Sequence, residues 1–295
     1  MPDWHTGYMQ IQKVYKWLMG GIILAMTLLF ICIYSLPDGN LHVFVLDIGQ
    51  GDSVLVTTAA NEHILVDGGP DDEVIEQLSR VMPFYERTID LVILTHPHAD
   101  HVDGLAEVLK RYRVKQVMIT GMSGYSPGYI AFLNEIVRQK IPILFAGSGK
   151  DYRFGNLILD VIYPFESLQG VHFENLNNGS IVFRLIYGER IFYFSGDAET
   201  EEEEKILVTG LDLRADFYKV GHHGSRTSSG VHLLERIQPL YAVISCGVDN
   251  KFKHPHGITL QHLHERNIKI YRTDLDGTIE AVSDGRNLAF KRAKS

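Results

Sequence analysis

Apolar positions follow two different rules along this chain. From Trp17 to Leu36 about twenty residues run without a charge, the length that crosses a bilayer core. Lys13 and Lys16 stand before the run, Pro37-Asp38-Gly39-Asn40 ends it, and Trp17 and Tyr34 sit near its ends, where interfacial aromatics belong. The pattern predicts a cytoplasmic segment over 1–16 and a transmembrane anchor over 17–36. With the positive flank on the N-terminal side, the rest of the chain is expected outside the cytoplasm, giving a single-pass protein of the cell membrane. The competing reading is a cleaved signal peptide, whose apolar region normally spans about 7–15 residues before a small-residue cleavage site. Tyr34-Ser35-Leu36-Pro37 makes a poor site of that kind.

From about Asn40 the apolar residues come instead as short runs broken by Gly, Pro, Asn and Asp. Leu41–Asp47, Ser53–Thr58, His63–Asp67, Asp90–Thr95, Gln116–Thr120, Ile141–Phe145, Leu157–Tyr163, Ile181–Tyr187, Ile191–Phe194, Phe217–Val220, Tyr241–Ser245 and Ile268–Arg272 read as strands. Asp71–Met82, Leu105–Tyr112, Pro127–Gln139 and Glu199–Leu207 carry helical spacing. Gly188-Glu189 predicts one hairpin and Asp276-Gly277 a late one. No linker or low-complexity tract interrupts the pattern, which predicts one compact α/β domain over 40–295. The acidic run Glu201–Glu204 reads as the solvated start of a helix, where negative charge suits the N-terminal dipole.

Composition narrows the chemistry. At 45% hydrophobic and 22% charged residues, a packed core is expected and disorder is not. A formal net charge of −8 argues against a broad basic face for non-specific nucleic-acid binding, while leaving room for nucleic acid held by metals and a few local cations. Only Cys32 and Cys246 are present, in separate apolar runs, so neither a disulfide nor a Cys-rich zinc site is expected. Any metal must be held by imidazole and carboxylate.

Histidines supply the strongest signal. Thr95-His96-Pro97-His98-Ala99-Asp100-His101 leaves a buried strand and places three imidazoles and a carboxylate on one short loop. A pair of metals about 3.5–4 Å apart needs such a cluster, because each ion takes several N or O ligands. Asp197 ends another strand in Ser195-Gly196-Asp197; His222 and His223 end a third in Gly221-His222-His223-Gly224-Ser225; His254-Pro255-His256 follows a fourth. The remaining histidines, His5, His42, His63, His172, His232, His262 and His264, are isolated and read as surface or helix residues.

These motifs, with Leu46-Asp47-Ile48-Gly49-Gln50-Gly51-Asp52, Val66-Asp67-Gly68-Gly69, Asn177-Asn178-Gly179-Ser180 and Lys253-His254-Pro255-His256, resemble a metallo-β-lactamase-fold protein, and specifically the metallo-β-lactamase domain of the ComEC competence family. They occur in the family order over nearly everything after the anchor. The resemblance implies an αββα sandwich, here preceded by one transmembrane helix, and two divalent metal ions, Zn or Mn. It implies that His96 and His98 hold the first metal, Asp100 and His101 the second, and that Asp197 bridges them. One of His222 and His223 completes the second site. The superfamily usually gives the first metal a third histidine. This chain has Asn177-Asn178-Gly179-Ser180 there, so the site is oxygen-richer, which suits Mn²⁺ more than an all-imidazole site does. Asp67 is expected to orient the metal-binding loop. Full-length ComEC proteins resemble multi-helix channels, a part this chain has no room for, so DNA translocation is not carried over.

Two such ions lower the pKa of a shared water to near neutral and stabilise charge on entering and leaving oxygens. Asp100 is placed to accept that water's proton, His223, His254 or His256 to protonate a leaving group, and Asn178, Ser180 and Ser225 to hold non-bridging oxygens. Lys219, Arg226, Lys251 and Lys253 lie near the motifs and suit phosphate, or are ordinary surface cations. The expected activity is an extracytoplasmic nuclease or phosphodiesterase acting on DNA, with a separate DNA-uptake channel protein as a possible partner. The alternatives are an esterase of cell-envelope phosphodiesters, such as phosphorylcholine or teichoic acid, and a non-catalytic DNA- or envelope-binding accessory protein.

Overall fold

The computed structural model describes residues 4–34 and 36–292. Residues 1–3, 35 and 293–295, which fall in the expected N-terminal segment, anchor and domain, lie outside the described residues, as do the side chains of His5, Cys32 and Tyr34. The chain divides into two units, one up to Asp38 and one from Gly39 onward.

The first unit is a single α-helix, Trp4–Tyr34, within which Gln12–Ile31 is long and apolar enough to cross a membrane. The helix starts well ahead of the expected span because Gln10, Gln12 and Lys13 are good helix formers. Leu36, expected as the last residue of the anchor, is not helical: it precedes Pro37, whose ring disfavours helical backbone in the residue before it.

In the second unit, strands alternate their side chains between two faces, and this alternation builds four layers. An eight-stranded sheet runs in the order Leu288–Arg292, Ile279–Ser283, Leu41–Val45, Val54–Thr57, His63–Val66, Leu91–Ile93, Val117–Ile119, Ile143–Phe145. A seven-stranded sheet runs Lys269–Arg272, Tyr241–Ile244, Phe217–Lys219, Arg190–Phe194, Val182–Tyr187, Leu157–Tyr163, Asp151–Phe154. Val43, Val45, Val54 and Val56 of the first sheet meet Phe183, Phe192, Phe194 and Phe217 of the second in one core. The alternate residues face outward. Leu55, Leu65 and Val92 pack under helices Glu73–Val81, Leu105–Arg111 and Pro127–Gln139. Tyr193, Tyr218 and Ala242 pack under Thr200–Leu207, Val231–Ile237 and Gly257–Glu265. The result is helix, sheet, sheet, helix.

Two local expectations fail. Asp276-Gly277 closes no hairpin: Lys269–Arg272 and Ile279–Ser283 belong to different sheets, so the one-turn helix Thr273–Asp276 and Gly277 carry the chain from one sheet to the other. The late hairpin is Ile279–Ser283 with Leu288–Arg292. The acidic run is only half solvated. Glu202 and Glu203 are buried, the former beside Lys205 Nζ at 3.2 Å. The Glu203 carboxylate accepts the backbone N–H groups of Ser229 (2.5 Å) and Gly230 (2.8 Å), capping the helix that begins at Val231. Glu203→Ala leaves the buried Ser229 N–H and the half-buried Gly230 N–H unpaired, so the domain is expected to lose about 1–3 kcal/mol. Chemical denaturation checks this; a midpoint unchanged from the native protein contradicts it.

Candidate metal centre

The parallel strands of both sheets end at the same edge, and their C-terminal loops carry the candidate ligands. Leu91–Ile93 lies between two parallel neighbours, His63–Val66 and Val117–Ile119, and its exit is pinned by Asp67. The Asp67 carboxylate accepts the Thr95 backbone N–H (2.8 Å) and hydroxyl (2.7 Å) and pairs with His101 Nδ1 (2.8 Å). His98 then caps a one-turn helix, Ala99–Val102, that presents Asp100 and His101. Gly51 explains the early Gly-Gln-Gly-Asp run. A Cβ there meets the Asp100 carbonyl oxygen at 2.3 Å, so only glycine lets the two loops touch.

The second sheet supplies the facing half. Asp197 follows Arg190–Phe194, its backbone N–H donating to Ser180 Oγ at 3.2 Å. His222 (φ 48°) and His223 (φ 53°) both hold left-handed backbone, a conformation that costs of order 1–3 kcal/mol per residue and concentrates at functional sites. Their rings thereby turn toward Asp197. His101 Nε2, His223 Nε2, His222 Nε2 and His96 Nε2 lie 3.4, 3.5, 3.7 and 4.0 Å from Asp197 Oδ2. His96 Nε2 is 3.0 Å from His98 Nδ1, and His223 Nε2 is 3.3 Å from Asp100 Oδ2. The two halves thus meet at one carboxylate oxygen.

Electrostatics divide the imidazoles. Burial, with the neighbouring His101, drives His96 well below its ordinary pKa and lowers His98 too, leaving both neutral. Burial also opposes charge on His101 and His223, but the carboxylates outweigh it: Asp197 and Asp67 for His101, Asp197 and Asp52 for His223. Both are therefore held well above the ordinary range and carry protons. Asp197, despite its burial, is held well below the carboxylate range by His223 and His101.

The residues present fit a divalent cation. His101 Nε2, His223 Nε2 and Asp197 Oδ1 are buried without hydrogen-bond partners, a state that costs about 1–3 kcal/mol per group unless something else satisfies them. Among the described residues, His96–His101–Asp197 and Asp100–His101–His223 each bring three ligand atoms within 4.8 Å of one another. Imidazole and carboxylate together suit Zn²⁺ or Mn²⁺.

Residues 46–248 match the family model of the metallo-beta-lactamase superfamily. The chain belongs to that superfamily. It is 31% identical to ComE operon protein 3 of Bacillus subtilis over 88% of this chain and 35% of that protein. It is 30% identical to the competence protein ComA of Neisseria gonorrhoeae over 83% of this chain and 33% of that one. The chain therefore spans about a third of the length of the curated relatives it matches. Among solved structures, the metallo-beta-lactamase fold protein YhfI from Bacillus subtilis superposes with a TM-score of 0.53 at 12% identity, over 80% of this chain and 96% of that one, a likeness of fold.

In this superfamily member the motif residues are distributed unevenly. His223, facing Asp100, His101 and Asp197, sits within the three-ligand groups, whereas His222 is partly exposed with Nδ1 3.2 Å from Glu199 Oε1. His98 belongs to none of those groups but adjoins His96. Asn178 turns away, its amide donating to Glu201 at 3.3 Å. The Ser180 hydroxyl is taken up by Asp197, and that of Ser225 by Thr227 at 3.0 Å. These side chains brace the site rather than open into it. His254 lies against the centre, with ring centroids 5.6 Å from His222 and 6.1 Å from His223, and burial beside those imidazoles lowers its pKa to about 4. His256 accepts the Arg226 backbone N–H at 3.0 Å.

Lys219 is no surface cation. It is buried, with Nζ 2.7 and 2.8 Å from the two carboxylate oxygens of Asp52. Asp52 also faces His223 Nδ1 at 3.3 Å. Sequence reasoning quoted Asp52 within its motif without seeing this role, because its partners lie more than 160 positions downstream. It missed Glu199 and Asn177 as well. Glu199 Oε1 accepts from Asn177 Nδ2 (3.2 Å) and Thr227 Oγ1 (3.0 Å) while facing His222. The hint was the Gly-Asp-Ala-Glu spacing, which puts a second carboxylate two residues after Asp197.

A metal held by His101 and His223 would have to displace the protons they carry. Their pKa values are raised, so protons compete more strongly as pH falls and affinity climbs as pH rises. Calorimetric titration of the metal-free protein with Zn²⁺ or Mn²⁺ is expected to show proton release near neutral pH and tighter binding from about pH 6 to about pH 8. Binding without proton release contradicts these charge states.

Proposed function

We propose that this chain is a metal-dependent phosphodiesterase that cleaves DNA outside the cytoplasm. The observation that carries the chemistry is the convergence of four imidazoles on Asp197 Oδ2 from two sheets. His96, His98 and Asp197 are assigned to one ion, and Asp100, His101, His223 and Asp197 to the other. When bound, two such ions acidify water and neutralise charge on a scissile phosphate. Asp100, partly exposed, is held below the ordinary carboxylate range, against its burial, by the His223 ring 3.3 Å from Oδ2 and by His101, so it is ionised and takes up a proton there only weakly. Burial keeps His254 neutral near pH 7, so it holds no proton to give a leaving group, against the expectation from the sequence.

DNA is chosen over other phosphodiesters because one relative is named for competence, the uptake of DNA by cells. Arg226, Lys251 and Lys253, all exposed, remain to meet phosphate once Lys219 is spent on Asp52. The outward orientation rests on Lys13 and Lys16, on the N-terminal side of the apolar span. A non-catalytic reading draws on one feature: Asn177-Asn178-Gly179-Ser180 stands in the region where the superfamily usually supplies a third histidine, and the buried Asn177 Oδ1 lacks a hydrogen-bond partner. Less than one tightly bound metal per chain favours that reading.

The full chain in detergent is expected to cleave single-stranded DNA with Mn²⁺ or Zn²⁺ and to stop on chelation. Loss of a residue that merely orients a metal ligand costs about 10–100-fold. Asp197→Ala removes the shared ligand itself and is expected to cost more. Intact DNA alongside turnover of a polyglycerol phosphate moves the assignment to envelope polymers, and full activity in Asp197→Ala refutes the two-metal site.

A further inference from the structure

We propose that the loop from Gly247 to His256 is a base-stacking platform for single-stranded nucleic acid, with Phe252 as its ring and Lys251 and Lys253 as its phosphate contacts. The proposal rests on the phosphodiesterase reading above and specifies how the polymer is told from others.

The loop is a built feature. Asn250 Nδ2 donates to the carbonyls of Gly247 (2.9 Å) and His254 (2.6 Å), and its Oδ1 accepts the His254 backbone N–H (2.9 Å). The Lys253 backbone N–H closes a turn on the Asn250 carbonyl at 3.0 Å. Asp249 (φ 50°) and Lys253 (φ 60°) hold left-handed backbone, which side-chain-bearing residues keep only when their surroundings fix it. A Cβ on Gly224, in the loop of His222 and His223, meets Pro255 at 2.6 Å, so the platform and the ligand loop are in direct contact.

On this frame Phe252 stays 47% exposed, although apolar side chains of its size are usually covered. Its ring stacks on His254 with centroids 5.6 Å apart and planes 20° from parallel. His254 in turn lies against His222 and His223. A half-exposed aromatic ring is therefore one side chain removed from the candidate metal ligands, and the Lys251 ammonium over it has to swing aside for a base to stack. Lys251 Nζ sits 4.9 Å from the Phe252 centroid, and Lys253 is exposed. The loop holds two lysines and one carboxylate, Asp249, so it is locally positive on a chain of net charge −8.

An aromatic ring flanked by ammonium groups is how proteins hold single strands without reading sequence, since every base offers a π face and every linkage a phosphate. A glycerol-phosphate polymer offers only the second. The ring thus selects for bases, and the lysines for the backbone that both polymers share.

The test compares binding of two fluorescent strands to the full chain in detergent, with chelator present to prevent cleavage: oligothymidylate and an abasic strand of equal length and charge. Phe252→Ala is expected to weaken oligothymidylate binding about tenfold and leave the abasic strand unchanged, with Phe252→Trp restoring affinity. The double variant Lys251→Ala, Lys253→Ala is expected to weaken both strands alike and flatten their salt dependence. The platform is refuted if Phe252→Ala leaves oligothymidylate binding intact or weakens both strands equally. It is also refuted if the variant slows turnover of a polyglycerol phosphate while sparing oligothymidylate, which gives the face to an envelope polymer. A native protein that binds neither strand overturns the nucleic-acid reading itself, a result distinct from loss of the platform alone.

Discussion

Four imidazole nitrogens surround one oxygen of one buried carboxylate, and the rest of the domain is arranged to hold that contact. Asp197 cannot stay ionised in a dry interior by itself; an unpaired buried charge is too costly. Positive charge must come to it. Protons on His101 and His223 supply that charge when no metal is bound, and divalent cations can replace them, which couples charge state to metal occupancy. The site stores unsatisfied ligand atoms that a cation relieves.

Holding such a cluster takes a surrounding scaffold of fixed polar groups. Asp67 fixes the start of the ligand loop and one ring nitrogen of His101 together. Asp52 does the equivalent for His223 and is itself neutralised by Lys219. Removing one partner of a buried ion pair usually costs about 3–5 kcal/mol, because it strands the other charge. His101 and His223 are thus each oriented by a carboxylate behind the ring, the arrangement that fixes which ring nitrogen faces a metal, whereas His96 Nδ1 meets the Thr95 hydroxyl. Glu199 completes the pattern behind His222.

The fold was legible because its signals are local. Short apolar runs bounded by Gly, Pro, Asn and Asp mark the strands, and the pairing of Phe192 and Phe194 on one face against Tyr193 on the other is the four-layer architecture written in three residues. The helix Pro127–Gln139 and the strand Leu157–Tyr163 begin and end where the sequence places them. The His-x-His-x-Asp-His loop was legible for the same reason. What escaped was long-range. Asp276-Gly277 resembles a hairpin turn, but turn chemistry does not say which sheet receives the next strand. Lys219 resembled a phosphate contact because nothing near it in sequence reveals Asp52. Asn178 and Ser180 carry plausible donors, and only the three-dimensional arrangement shows Asn178 turned toward Glu201 and Ser180 bound to the Asp197 backbone. The buried Glu202 and Glu203 were hidden inside a run whose composition reads as solvated.

The decisive measurement is anomalous diffraction from crystals of the protein grown with Mn²⁺. Two peaks about 3.5–4 Å apart are expected, one on each side of the Asp197 carboxylate, within reach of His96 and His98 on one side and of Asp100, His101 and His223 on the other. Peaks distant from Asp197, or a single ion that leaves one of these groups unengaged, contradict the two-metal site.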